Sequence, residues 1–157
     1  MKKETKRIIR QGSRLLFILY VLLLVYFLFF SEAYGRGAAA MQAYRYNLVP
    51  FAEIRRFWVY REQVGVPAFL TNIFGNVIGF LPFGFILPII ADRMQSGFLI
   101  TLTGFCLSLG VETIQLVSRA GCFDVDDLIL NTLGAALGYL CFAVCDHVRR
   151  TYYGKKI

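Results

Sequence analysis

The sequence predicts an all-α integral membrane protein with four transmembrane helices and an amphipathic interfacial segment in the first outer loop. Of its 157 residues, 57% are hydrophobic, and the mean hydropathy is +0.58. A soluble domain is about 45–50% apolar, so this composition is unusually rich in apolar residues. The excess falls in blocks close to the roughly 20 residues that a bilayer-spanning helix requires. We therefore expect a single membrane domain over residues 1–157 and no soluble domain.

The first span is predicted at residues 15–30, an apolar run that follows a strongly basic segment. A basic segment before an apolar run also occurs in secretory signal peptides. This run is slightly long for a signal peptide and further apolar blocks follow it, which favours an uncleaved first transmembrane helix. The preceding basic residues are Lys2, Lys3, Lys6, Arg7, Arg10 and Arg14.

The connection between the first two spans, residues 31–71, contains the predicted amphipathic segment. Apolar side chains recur there at helical spacing with charged side chains on the other side, as in helices that lie in the plane of the membrane interface. The same apolar stripe would also suit a helix that packs over the bundle, and the two interpretations are compatible. The apolar positions are Phe51, Ile54, Phe57 and Trp58, and the charged positions are Glu53, Arg55 and Arg56.

Three further spans complete the predicted fold. Pro82 lies inside the second span, where neighbouring helices can satisfy the carbonyl that a proline leaves without a donor. Gly75 and Gly79 form one GxxxG pair and Gly134 and Gly138 form another, and such pairs allow two helices to approach closely. The predicted spans are residues 72–90, 98–117 and 128–144.

The distribution of Lys and Arg predicts the orientation. With four spans, the N-terminus, the Asp92–Arg93 turn and the C-terminal tail share one side and hold 11 of the 17 basic residues. The positive-inside rule places that side, with both termini, in the cytoplasm. The net charge of +7 lies at the ends of apolar spans and not along one face, so we expect contact with membrane lipids and none with nucleic acid.

Polar residues converge at the predicted outer ends of the last three spans. Ionisable residues cost about 2.5–3.5 kcal/mol at the centre of a membrane helix and usually mark a functional site. We therefore predict an outward-facing polar pocket that binds a ligand and reaches into the outer leaflet. Its candidate residues are Asn72, Asn76, Glu112, Gln115, Arg119, Asp124, Asp126, Asp127 and Asn131.

Several of these residues have structural alternatives. Asp124 could cap the N-terminus of the last span, where carboxylates are favoured by the helix dipole. The asparagines could join helices by hydrogen bonds. Crowded carboxylates need a counter-charge, for which Arg119 is the nearest candidate. The arginines held in reserve for that role are Arg45, Arg55, Arg56 and Arg61.

A divalent cation is the other way to neutralise the carboxylates. Oxygen ligands suit Mg²⁺ or Ca²⁺, and Asp124, Asp126 and Asp127 are the candidate ligands. Their spacing is not that of an EF-hand loop. The four cysteines show no CxxC pair and no zinc-site spacing, so we predict no structural disulfide.

Three segments of the chain resemble the VanZ-like family of small bacterial membrane proteins. They are NLVPF (47–51), NIFGNVIGFLPFGFILP (72–88) and ETIQLVSRAGCFDVDDLILNTLGAALGY (112–139). The ordered set E-x-x-Q, R-x-G-x-F-D-x-D-D and N-x-x-G is the specific part of the likeness. The resemblance implies a place in the bacterial plasma membrane and an association with resistance to teicoplanin, a lipid-tailed glycopeptide.

Three functions are compatible with these residues. The first is a cell-envelope protein whose polar pocket binds a lipid headgroup, a lipid-linked cell-wall intermediate or an amphiphilic drug. The second is a membrane enzyme acting on a phospholipid or polyprenyl phosphate, with a cation on the aspartates and Glu112 or Asp127 as the candidate catalytic residue. The third is a dimeric transporter or scaffold.

Overall fold

Four long apolar helices and one short helix make up most of the chain that the structure describes. The structure is a computed structural model, and it describes residues 3–27, 44–60, 66–119 and 121–154. A 3₁₀ turn at Asp92–Met94 joins the second and third long helices. The elements are α1 (Lys3–Tyr26), β1 (Tyr46–Asn47), α2 (Ala52–Val59), α3 (Val66–Ile90), α4 (Gly97–Ser118), β2 (Phe123–Asp124) and α5 (Val125–Tyr153).

The long helices α1, α3, α4 and α5 are each long and apolar enough to cross a membrane. This confirms the predicted all-α integral membrane fold with four spans. α1 and α5 extend well beyond the predicted spans, into the basic flanks of the sequence. α5 ends only where Gly154 adopts the left-handed conformation (φ 66°) that commonly terminates a helix. Residues 28–30 of the predicted first span lie outside the described residues.

Helices α3 and α5 form the centre of the bundle because glycines let their backbones meet. A Cβ added at Gly134 would lie 2.3 Å from the carbonyl oxygen of Val77, and one at Gly138 would lie 2.1 Å from that of Leu81. The second GxxxG pair therefore makes the close contact that the sequence predicted. No such contact forms at the first pair within the described residues, since Gly75 has open space around it and a Cβ at Gly79 would meet only a Leu24 side-chain atom, at 4.0 Å.

Helix α4 packs against α5, and α1 packs against α3. A Cβ added at Gly104 would lie 2.5 Å from the Cβ of Ala135, so a small residue is needed there too. The Tyr20 hydroxyl of α1 donates a hydrogen bond of 2.8 Å to the carbonyl of Gly79. Most leucines of α1 are exposed, as is expected for side chains that face lipid.

The two ends of the bundle differ in chemistry. At one end, which we call the turn end, Arg10 forms an ion pair with Asp92 in the 3₁₀ turn. The Tyr139 hydroxyl also donates to the carbonyl of Gln95 there, at 2.9 Å. At the other end, which we call the polar end, strands β1 and β2 pair in parallel with the second helix α2 beside them.

Helix α2 is the predicted amphipathic segment, with eight residues. Ile54 and Phe57 are half-buried, and the helix contacts α3 and α5. Phe51, just before the helix, and Trp58 are 59% and 60% exposed. The helix thus packs over the bundle and still presents aromatic side chains outward.

Candidate functional site

A short parallel β-bridge brings the first outer loop against the loop between α4 and α5. Tyr46 is opposite Phe123 and Asn47 is opposite Asp124. The N–H of Phe123 also donates to the carbonyl of Arg45 at 3.0 Å. This bridge places the NLVPF segment beside the acidic segment, although the two are far apart in sequence.

Asp126 holds helix α2 in place from the first turn of α5. Its carboxylate accepts hydrogen bonds from the backbone N–H groups of Phe51, of Glu53 at 2.8 Å and of Ile54 at 3.0 Å. Phe51 has a positive φ of 64°, a conformation that turns the chain into the helix. Asp126 is only 1% exposed. Its carboxylate therefore caps α2 from a neighbouring helix, at the positive end of the α2 dipole.

Asp124 is the N-cap of α5. Its side chain accepts the N–H of Asp126 at 2.8 Å and the side-chain amide of Asn47 at 3.1 Å. Burial raises the pKa of the Asp124 carboxyl, and the hydrogen bond from the Asp126 N–H opposes that rise. The capping alternative for Asp124 is thus what the structure shows.

Glu112 lies beneath this loop, on the inner face of α4. It is 2% exposed, and its carboxylate accepts the backbone N–H of Asp124 at 3.0 Å. Ser108, Glu112 and Gln115 follow one another at steps of four and three residues on one side of α4, and all three are buried. Gln115 packs against Gly121, where an added Cβ would lie 2.9 Å from the Gln115 Cβ.

Two asparagines join the helices, as the interhelical alternative proposed. The side-chain amide of Asn76 on α3 donates to the carboxylate of Asp127 on α5. One turn further along α5, the Asn131 amide donates to the Ser108 hydroxyl at 2.9 Å. The Asn131 Oδ1 atom is buried and has no hydrogen-bond partner among the described residues. Asn72 belongs to α3, but its side chain lies outside the described part of the structure.

Arg119 does not serve as the predicted counter-charge. It ends α4 in the left-handed conformation (φ 55°), and its guanidinium stacks over the Tyr44 ring at 4.7 Å from the ring centroid. Within the described residues it forms no salt bridge with a carboxylate. Two of the alternative counter-charges, Arg45 and Arg56, lie near the carboxylates instead. Against the effect of burial, both lower the pKa of the Glu53 carboxyl, and Arg56 also lowers that of Asp124.

These elements enclose a small pocket of about 140 Å³ at the polar end. Its lining carries two arginines and three carboxylates, so both signs of charge meet there. Arg56 forms an ion pair with Glu53. Burial raises the pKa of the Glu53 carboxyl, and Arg56 opposes that rise. The lining residues are Arg45, Glu53, Arg56, Phe57, Cys122, Asp124 and Asp127.

The pocket includes residues that sequence reasoning missed. The sequence analysis places Glu53 only on the charged side of the amphipathic helix and gives Cys122 no role in a site. The sequence feature that could have indicated these residues is the NLVPF segment. Its sequence does not show that it lies next to β2, which only the β-bridge establishes. Asp124 and Asp127 are the two predicted site residues that line the pocket directly.

The structure gives the metal hypothesis no support. In the part of the chain that is described, no group of three or more His, Cys, Asp or Glu side chains is arranged to hold a metal ion. The three candidate ligands serve different partners. Asp126 binds the α2 backbone, Asp124 caps α5 and Asp127 binds Asn76.

Comparison with known proteins identifies the family. The family model described as VanZ/LLP1 matches residues 17–146, which include every residue of the polar end described above. The chain belongs to the VanZ/LLP1 family. It is 32% identical over 132 residues to Protein VanZ of Enterococcus faecium, and the match covers 80% of this chain and 70% of that protein. No solved structure matches the chain.

The VanZ/LLP1 match confirms the resemblance that the three sequence segments indicated. Two of those segments meet at the polar end, because NLVPF provides Asn47 of β1 and the turn into α2 while FDVDD provides β2 and the start of α5. The third segment forms most of α3, and the side-chain amide of its Asn76 donates a hydrogen bond to the Asp127 carboxylate. The residues that carry the family likeness are therefore the ones that hold the polar end together.

Proposed function

We propose that this VanZ/LLP1 protein is a bacterial cell-envelope protein that binds the polar headgroup of an amphiphile in the pocket at its polar end. The ligand class is a membrane lipid, a lipid-linked cell-wall intermediate or a lipid-tailed glycopeptide such as teicoplanin. The observation that supports it best is the meeting of two arginines and three carboxylates in one pocket beside an amphipathic helix.

The charges of the pocket suit a headgroup that carries both donors and acceptors. The guanidinium groups of Arg45 and Arg56 can donate paired hydrogen bonds to a phosphate or carboxylate. Glu53 and Asp127 offer oxygens to hydroxyl, amide or ammonium groups of the ligand. A volume of about 140 Å³ accommodates a headgroup fragment and not a whole glycopeptide.

The surroundings of the pocket suit an apolar tail. Phe51, Trp58 and Val59 on and beside α2 are each more than half exposed. Of these, Trp58 is the type of residue that favours the membrane–water interface, because the tryptophan ring is amphipathic, and Phe51 and Val59 add apolar surface beside it. A ligand whose headgroup enters the pocket would therefore leave its tail in the bilayer next to α2.

The orientation of the protein is part of the proposal. The positive-inside rule puts the turn end and both termini in the cytoplasm and the polar end outside. Lipid-linked cell-wall intermediates and glycopeptides are encountered on that outer side. The family relationship to Protein VanZ, with the teicoplanin association that the resemblance implies, agrees with this placement.

A matched pair of arginines on α2 tests the proposal. Both arginines are exposed, but Arg56 lines the pocket and Arg55 does not. Purified full-length protein in detergent is titrated separately with teicoplanin and with a polyprenyl phosphate. The retention of each ligand by the protein is measured by native mass spectrometry. We expect at least one ligand to be retained, and R56Q and R45Q to weaken it about tenfold, the loss of roughly one charge-assisted hydrogen bond.

The control variant R55Q should retain the ligand like the wild type. Equal weakening in R55Q and R56Q would show that the charge of α2 acts in general and that the pocket does not bind the headgroup. Retention of neither teicoplanin nor the polyprenyl phosphate by the wild type, together with equal retention of phospholipid by R56Q and the wild type, would overturn the proposal. The test extends to the cell envelope by measuring how susceptible cells expressing the same variants are to teicoplanin. Their susceptibility to a glycopeptide without the lipid tail is the comparison.

The structure adds nothing in favour of the enzyme hypothesis. Its metal would need Asp124, Asp126 and Asp127 together, and its acid or base would be Glu112 or Asp127. Glu112 and two of these aspartates accept backbone hydrogen bonds instead. Comparing envelope lipids by mass spectrometry with and without the protein discriminates the two functions, since only an enzyme creates or removes a lipid species. The transporter or scaffold hypothesis requires a dimeric particle in detergent.

A further inference from the structure

A second charged site lies at the turn end of the bundle, far from the pocket discussed above. A groove of about 420 Å³ runs between the first turns of α1 and the 3₁₀ turn. Four cationic side chains and a single carboxylate line it. The lining residues are Lys6, Arg7, Arg10, Gln11, Arg14 and Asp92.

The cations share one face of α1. Lys6, Arg10 and Arg14 follow one another at steps of four residues, which places them above one another along a helix. Like charges at this spacing repel each other and destabilise the helix. Asp92 pairs with Arg10 alone, so a single carboxylate faces four cations in this groove. An anion is the ligand that would relieve this excess.

Arg10 links the groove to the 3₁₀ turn. Its guanidinium reaches Asp92 through one terminal nitrogen, and its side chain is 29% exposed. A guanidinium carries five N–H donors, so Arg10 can bind an oxyanion in the groove while it is paired with Asp92.

The surface next to the groove is apolar and open. Leu15, Leu16 and Leu19, which follow the basic turns of α1, are each more than half exposed. A ligand with its anionic part in the groove would therefore meet a lipid-facing helix surface directly below. Basic grooves between helices at a membrane boundary are typical sites for anionic phospholipid headgroups.

We infer that this groove binds the phosphate headgroup of an anionic phospholipid, held by Arg7, Arg10 and Arg14 with its acyl chains along α1. The site does not depend on the proposed function, because it lies at the opposite end of the bundle and uses other residues. It also does not depend on which membrane face the turn end occupies. Its role would be to fix the loosely packed helix α1 against α3 through the lipid.

The test measures lipid retention by the purified full-length protein. The protein is exchanged into detergent, titrated with phosphatidylglycerol or phosphatidylcholine, and examined by native mass spectrometry. We expect tighter retention of phosphatidylglycerol. The double variant R7Q/R14Q should weaken that retention about thirtyfold, at about 1 kcal/mol for each basic residue near the headgroup.

A second double variant controls for net charge. R55Q/R119Q also removes two arginines, both at the polar end and neither lining the groove, and should change phosphatidylglycerol retention by less than about threefold, since distant charges are screened. Equal weakening by both double variants would show diffuse attraction and overturn the site. Retention of both lipids to the same degree by the wild type would overturn it as well.

Asp92 allows a test in the opposite direction. Its side chain is 61% exposed, and an exposed ion pair stabilises a fold by about 1 kcal/mol or less, so D92N should leave the protein folded. It removes the carboxylate that competes with the lipid for Arg10, and phosphatidylglycerol retention should increase. Phosphatidylcholine retention should stay unchanged, because a misfolded variant with exposed apolar surface would retain more of both lipids. If inorganic phosphate displaced the lipid at similar concentrations, the groove would be a site for soluble phosphate and the lipid assignment would be wrong.

Discussion

The carboxylate of Asp126 accepts a hydrogen bond of 2.8 Å from the backbone N–H of Glu53, although 73 residues separate the two in sequence. Two more N–H groups at the start of α2 bind the same carboxylate. An interior charge on α5 thereby fixes the position of the amphipathic helix. Since Glu53 and Arg56 line the pocket, the shape of the pocket depends on this contact.

Replacing Asp126 with alanine should release α2 from the bundle. The change leaves the N–H groups of Phe51, Glu53 and Ile54 without their acceptor, and hydrogen bonds to a charged group contribute about 1.5–3 kcal/mol. Hydrogen exchange at these amides should accelerate by at least about tenfold. The exposed carboxylate of Asp92 provides the control, because D92A should leave exchange in α2 unchanged. Unchanged protection in D126A would show that other contacts hold the helix.

Much of the fold could be predicted from the sequence because each part depends on local pattern. The four spans follow from apolar block length, and the buried face of Ser108, Glu112 and Gln115 follows from helical spacing. The close helix contact at Gly134 and Gly138 follows from their GxxxG spacing, although only the structure shows that α3 is the partner. In each case a single segment contains all the information that the prediction needs.

The candidate site was predicted less completely because its contacts are long-range. Two-residue strands have no periodicity, so the bridge that pairs Asn47 with Asp124 leaves no pattern in the sequence. The counter-charge was wrong for a similar reason. Arg119 is nearest in sequence to the carboxylates, but its left-handed backbone directs it onto Tyr44. Arg45 and Arg56 reach the pocket only because the first outer loop folds over it.

Glycine 138 should be intolerant of any side chain. A Cβ there would lie 2.1 Å from the Leu81 carbonyl oxygen, so alanine must push α3 away from α5. Overpacking of this kind costs about 1–3 kcal/mol of unfolding free energy. The measurement is thermal or chemical unfolding of the purified G138A variant in detergent. Gly75 has open space, so G75A should be neutral or stabilise α3 by up to about 1 kcal/mol. Equal stability of the two variants would contradict the packing.

The two ends of the bundle should lie on opposite sides of the membrane, with the polar end outside. Ser118 at the end of α4 and Arg93 in the 3₁₀ turn are both exposed, so a cysteine can replace either without disturbing the core. In a variant without native cysteines, an impermeant thiol reagent added to intact cells should label S118C and not R93C. Labelling after permeabilisation controls for reactivity. Labelling of R93C alone in intact cells would place the pocket in the cytosol.

The reactivity of Cys122 should report the charges of the pocket. Burial raises the pKa of the Cys122 thiol, nearby Arg45 opposes the rise and Glu53 adds to it. The thiolate is the reactive form, so the pH at which alkylation becomes fast should lie above that of an exposed cysteine such as S118C.

Two neighbouring charges make the sign of this effect testable. With Cys106, Cys141 and Cys145 replaced by alanine, R45Q removes a cation that stabilises the thiolate and should move the pH profile of alkylation further up. E53Q removes an anion and should move it down, whereas R55Q, outside the pocket, should leave it in place. Because the shift is read from the midpoint of the profile and not from the rate, a change in access alone cannot imitate it. Shifts in the same direction for R45Q and E53Q would show that these side chains do not surround the thiol as the pocket requires.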